Sequence, residues 1–75
     1  MELWQAEWCQ HSHKVREKLT EKQIDFVARQ VPKEQGDRDE MERAVGTREI
    51  PVLVTDEGRT LAGEDEILPW LEAAA

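Results

Sequence analysis

The chain holds one thiol, Cys9, and that residue decides what chemistry the sequence can support. A lone cysteine cannot close an internal disulfide, so its sulfur is either a small core group or a reactive one. Ser12 follows three residues later, the spacing that sets two side chains on one helical face. Its hydroxyl can donate to a thiolate but cannot bond it covalently, so any site here is monothiol by composition. His11 and His13 alternate with Cys9, a spacing that invites a metal reading, yet a helix starting here turns alternate side chains to different faces. No metal ligand set is expected. Both histidines belong at an exposed rim, where a protonated His11 can tune the thiolate.

Cys9 gains its chemistry from the elements that flank it. Leu3, Trp4 and Ala6, interrupted by Gln5, suit a short strand over residues 2–7 that is buried on both faces. Val15 and Leu19, four apart among charged neighbours, predict an amphipathic helix over residues 13–22. Ser12 stands just ahead of that helix, while a start nearer Cys9 would place the cysteine at the first turn. Such a strand-to-helix junction aims unpaired backbone amides and the positive end of the helix dipole at the sulfur. A cysteine there can drop from a pKa of about 8.5 into the range of roughly 3.5–7.5, which favours the reactive reading over the core one.

The rest of the chain supplies a scaffold. Residues 24–28 are β-branched or aromatic at most positions and predict a second strand. From Pro32 to Gly46 the charge density is high and Met41, Ala44 and Val45 are the few apolar anchors, so a short exposed helix is expected, with the charge run from Lys33 to Arg43 as its solvated face. Residues 50–54 carry the strongest strand signal. Residues 55–58 have turn chemistry, and 59–62 return as an antiparallel partner. Gly63-Glu64-Asp65-Glu66 opens a last helix whose apolar face holds Ile67, Leu68, Trp70 and Leu71. Pro69 removes one backbone donor there, so a late start or a bend is expected, with the three terminal alanines frayed. Trp4 and Trp70 read as core or core-edge residues, whereas Trp8, beside the thiol, can line a ligand groove.

Composition bounds the function class. Hydrophobic residues make up 39% and charged residues 36% of 75 positions, a balance that fits one small globular domain spanning 1–75. Ten basic residues against 17 acidic give a net charge of −7, which argues against nucleic acid or an anionic membrane as partner. No apolar run approaches the ~20 residues of a spanning helix, and Met1-Glu2-Leu3-Trp4 has neither the basic nor the apolar region of a signal peptide, so a cytoplasmic monomer is expected.

Three segments in order carry a family resemblance. Trp8-Cys9-Gln10-His11-Ser12-His13-Lys14-Val15 resembles the active-site segment of glutaredoxins, with serine in place of a second cysteine. Glu49-Ile50-Pro51-Val52-Leu53-Val54 is similar to that family's strand with a cis-proline, and Leu61-Ala62-Gly63-Glu64-Asp65-Glu66-Ile67 to its glycine-aspartate segment. The chain equally resembles the N-terminal domain of glutathione transferases, without the helical domain that follows it there. The resemblance implies an α/β fold of minimal thioredoxin-like (glutaredoxin) type, β-α-β-α-β-β-α, with a four-stranded mixed sheet flanked by helices. It also implies a thiol–disulfide oxidoreductase with no tightly bound cofactor, acting on glutathionylated proteins with glutathione or a similar low-molecular-weight thiol as co-substrate. Cys9 and Ser12 would be catalytic, and Trp8, Gln10, His11, Ile50, Pro51, Glu64 and Asp65 would bind the thiol. Backbone amides near Glu64 and Asp65 would receive its γ-glutamyl carboxylate, the Asp65 carboxylate would hold its amino group, and Pro51 would be cis. Three positions depart from the pattern. Gln10 stands where many members have proline, Ala6 where they have lysine, and Glu64 brings a charge that Arg48 or Lys14 would have to offset. A thiol-binding module with little turnover, or a carrier of an iron–sulfur cluster, is the alternative implied.

Overall fold

Leu3 and Trp4 take opposite faces of the first strand, and the fold follows from giving each face its own cover. The computed structural model describes residues 1–73. Strand β1 (Glu2–Gln5) leads into helix α1 (Gln10–Glu21) and strand β2 (Val27–Gln30). A 3-10 turn (Gln35–Asp37) precedes helix α2 (Asp39–Val45), and the hairpin of β3 (Val52–Val54) and β4 (Thr60–Ala62) precedes helix α3 (Glu64–Ala73). The sheet runs β2-β1-β3-β4, with β1 parallel to β2 and antiparallel to β3, and β3 antiparallel to β4. This is the mixed four-stranded α/β fold of thioredoxin-like type expected from the sequence.

One face packs under α1 and α3, where Leu3, Val15, Leu19, Leu53, Leu61, Ile67 and Leu71 form the main core. Each such side chain, fully buried, stabilises by about 1.5–3 kcal/mol. The other face packs under α2 and is smaller, with Trp4, Met41 and Val52 buried. Gly46 closes α2 at φ 81°, the left-handed position where a glycine carries no steric cost, and its N–H bonds the Glu42 carbonyl at 2.8 Å.

Several boundaries differ from expectation. Helix α1 starts at Gln10 and not at His13, so Cys9 is its N-cap and Ser12 lies inside its first turn. Strand β2 begins at Val27, three residues later than residue 24. The chain leaves α1 through Gln23 at φ 57°, and the Ile24 N–H bonds back to the Leu19 carbonyl at 2.9 Å, which holds 24 on the helix and out of the sheet. Ile24 and Phe26 pack against the main core instead. Pro69 neither delays nor divides α3, which runs unbroken from Glu64; Ala73 is its last turn, and Ala74 and Ala75 lie outside the described residues. The solvated reading of the charge run fails at Arg38, which is 6% exposed. Its guanidinium donates to the carbonyls of Pro32 (2.8 Å), Lys33 (3.0 Å) and Arg48 (2.8 Å), so one cation ties down the loops around α2.

Candidate functional site

Cys9 sits where β1 gives way to α1 because the chain turns tightly after Gln5. Its N–H returns to the Ala6 carbonyl at 3.2 Å, and its own carbonyl accepts the His13 N–H at 2.9 Å as the first bond of the helix. The backbone at Cys9 is extended (φ −84°, ψ 121°), as an N-cap residue must be, and its side chain makes no capping hydrogen bond, while the first-turn amides of His11 and Ser12 favour its ionised form. Ser12 is fully buried, and its hydroxyl accepts the Ala6 N–H at 3.4 Å and favours the ionised form of Cys9.

The sulfur's ionisation is a contest. Burial pushes the thiol pKa up and is the strongest single influence, since Cys9 is 9% exposed. The Ser12 hydroxyl, the Ser12 and His11 backbone amides and the positive charge of Arg16 act together against it. They win, and the thiol is held below its ordinary value.

Cys9 opens onto a surface hollow of about 350 Å³ lined by Glu7, Trp8, Gln10, His13 and Lys14. Trp8 is 58% exposed, an indole left on the surface beside a thiol. Of the residues expected to bind a small thiol, the hollow gathers Trp8 and Gln10. His11 and Glu64 meet each other instead: His11 Nδ1 and a Glu64 carboxylate oxygen are in contact, and Lys14 Nζ lies 3.6 Å from the second oxygen. His11 first and Lys14 after it hold the Glu64 carboxyl below the usual carboxylate range. This contact joins the start of α3 to the start of α1. Lys14 thus offsets the Glu64 charge, whereas Arg48 does not, being held by Asp39 (2.5 Å) and Glu42 (3.1 Å).

Ile50 and Pro51 precede β3. Their peptide bond is cis, Pro51 is fully buried, and its carbonyl accepts the Gly63 N–H at 2.8 Å. Gly63, at φ 84°, then accepts the N–H groups of Glu66 and Ile67 and starts α3. Pro51 is in this way tied to the helix end that carries Glu64, while Asp65 stays exposed. Neither Ile50, Pro51 nor Asp65 borders the hollow at Cys9.

A family model of the glutathione S-transferase N-terminal domain matches residues 3–75. The chain belongs to that family. None of the curated proteins compared with it matches. As a glutathione S-transferase N-terminal domain it shares the thioredoxin-like architecture described above, in which Cys9 follows β1 and Pro51 precedes β3, two strands whose antiparallel pairing sets the end of the first beside the start of the second. Among the described residues, no group of three or more His, Cys, Asp or Glu side chains is set to hold a metal ion, and Cys9, His11 and His13 form none. No helix among the described residues is long and apolar enough to cross a membrane.

Sequence reasoning missed Gln5 and Arg16. Gln5 is the polar interruption of a buried strand, yet it is itself fully buried and its amide donates to Gln30 Oε1 and to Glu7 Oε2, each at 3.0 Å. Arg16, one of the charged neighbours of Val15, reaches back to Gln5 and the Ala6 carbonyl. The signal lay in its spacing: seven residues after Cys9 and four after Ser12 return to the same helical face.

Proposed function

We propose that this domain is a monothiol thiol–disulfide oxidoreductase that acts on mixed disulfides of glutathione or a similar low-molecular-weight thiol. The observation that carries the reading is Cys9 at the N-cap of α1, near a buried serine, with its ionised form favoured, beside a hollow open to solvent. Family membership supports glutathione as the thiol.

In this reading the Cys9 thiolate attacks the glutathionyl sulfur of a protein mixed disulfide. The S–S bond breaks, the substrate thiolate leaves and takes a proton from water, and a Cys9–glutathione disulfide forms. A second glutathione thiolate then attacks that disulfide, so the tripeptide leaves as its own disulfide and Cys9 returns as thiolate. Ser12 stabilises Cys9 as attacking and as leaving group by its hydrogen bond. Trp8, Gln10 and His11 border the ligand, the Ile50 backbone offers an extended peptide an edge before Pro51, and the first amides of α3 at Glu64 and Asp65 take a carboxylate. His11 and Lys14 keep the Glu64 charge from repelling it.

The test is the rate at which the protein and its Cys9→Ser variant remove glutathione from a glutathionylated peptide in the presence of reduced glutathione. Loss of turnover in the variant is expected. Equal rates, or none from either, would exclude the reading. Because Cys9 is only 9% exposed, a thiol-binding domain with little turnover is the second reading; calorimetric binding of glutathione without catalysis would select it.

A further inference from the structure

Arg16 has no part in the exchange chemistry above, yet it makes several bonds at the turn that presents the thiol. Its side chain is 18% exposed and reaches from α1 back to the end of β1. Nη1 donates to Gln5 Oε1, and to the Ala6 carbonyl at 3.3 Å. That carbonyl also accepts the Cys9 N–H, at 3.2 Å. The Ala6 N–H in turn donates to Ser12 Oγ at 3.4 Å. The backbone of Ala6 is thus gripped on one side by Arg16 and Cys9 and on the other by Ser12, and Gln5, the second acceptor of Arg16, is itself fixed by Gln30 and Glu7. Both bonds leave from Nη1, whose two N–H groups lie fixed in the guanidinium plane, so the grip is more rigid than that of a freely rotating ammonium on a flexible stem.

We propose that Arg16 is a positioning residue for Cys9: it clips the turn from Ala6 to Cys9 onto the end of β1 and fixes a positive charge behind the sulfur. The inference rests on the reading of Cys9 as a thiolate nucleophile, and it does not depend on turnover. The charge of Arg16 acts on Cys9 in the expected direction. The other charged or titratable groups around the thiol are Glu7, His13 and Lys14 on the hollow, and His11 with Glu64 of α3 across from it. Glu7 lies 3.5 Å from Arg16 Nη1 and is 70% exposed, so water screens its opposing charge more than it screens the guanidinium.

Two variants of the full chain test this, Arg16→Gln and Arg16→Lys, each with two readouts: the Cys9 pKa from the pH dependence of iodoacetamide alkylation, and hydrogen exchange of the Cys9 amide. Arg16→Gln is expected to raise the pKa and to speed exchange. Arg16→Lys keeps the charge and loses the rigid planar placement of the two donors, so exchange accelerates while the pKa moves less. A purely structural arginine would leave the pKa of a folded variant unmoved, and that result overturns the proposal. If Arg16→Gln does not fold, unchanged Cys9 exchange in Arg16→Lys overturns it instead. Parent protein that lacks deglutathionylation but shows the Arg16 effects would remove the oxidoreductase reading alone; active parent protein without those effects would remove this inference alone.

Discussion

The two faces of the sheet are held by different forces. Under α1 and α3, seven residues at 3% exposure or less interlock, so non-directional burial of hydrocarbon fixes that face. Under α2 the buried apolar cluster is Trp4, Met41 and Val52, and α2 is seven residues long, well short of the ~12–15 that make even a favourable isolated helix marginal. Directional bonds make up the difference. Arg38 holds three carbonyls there, and Arg48 ties the 3-10 turn to α2 through Gly36, Asp39 and Glu42. The fit is also less complete, since Trp4 Nε1 is buried without a hydrogen-bond partner among the described residues. The helix that carries Cys9 is therefore anchored by the stronger face, and its thiol inherits a rigid support.

The sharpest way to break this contrast is Leu53→Ala, which opens a cavity in the middle of the strong face. A loss of about 2–5 kcal/mol is expected. A 75-residue domain has about 4–11 kcal/mol in total, so urea titration followed by far-ultraviolet circular dichroism should show a large early shift or no folded baseline. Arg38→Met tests the other face. It strips three part-buried carbonyls of their donor and should cost about 1–2 kcal/mol, with amide exchange in α2 accelerating ahead of that in α1. Equal acceleration in both helices would show that the faces are not separate.

Smaller effects sharpen the picture at the site. Cys9 titrates below its ordinary value of 9.0 in the folded chain. Between the folded and unfolded pKa the unfolded chain holds more protons, so stability rises with pH through that window, is complete above 9.0 and is lost as pH falls through the folded value. Cys9→Ser should flatten that part of the profile, and Ser12→Ala should narrow the window by raising the folded pKa. Smallest of all is Lys18→Gln, which removes the 2.5 Å ion pair to Glu72 and the 3.4 Å pair to Glu21 on the outside of α1 and α3. Exposed pairs of this kind are screened by water, and the urea midpoint should stay within its experimental error.

Much of the architecture was legible because it is written in periodic apolar residues. Val15 and Leu19 announced α1, residues 50–54 announced β3, and the turn chemistry of 55–58 announced the hairpin, with the Gly58 N–H indeed bonding the Thr55 carbonyl at 2.9 Å. Cys9 at a strand-to-helix junction was readable for the same reason. What escaped were features decided by single backbone angles or by long polar side chains. Nothing in the composition of residues 22–26 marks Gln23 for positive φ, so the strand was placed too early. Arg16 and Arg38 look like any solvated arginine until the carbonyls they hold are known, because those partners lie on separate elements with no period linking them.

Strand β2 has its own consequence. All four of its side chains are exposed, and it is bonded on one side only, to β1. Peeling it away would break a row of backbone bonds yet wet almost no hydrocarbon from its own residues, so partial opening there should be frequent and shallow compared with collapse of the whole domain. The sheet wears from this margin inward, and the thiol, at the far end of the neighbouring strand, feels such fraying chiefly through the Gln30 to Gln5 bond.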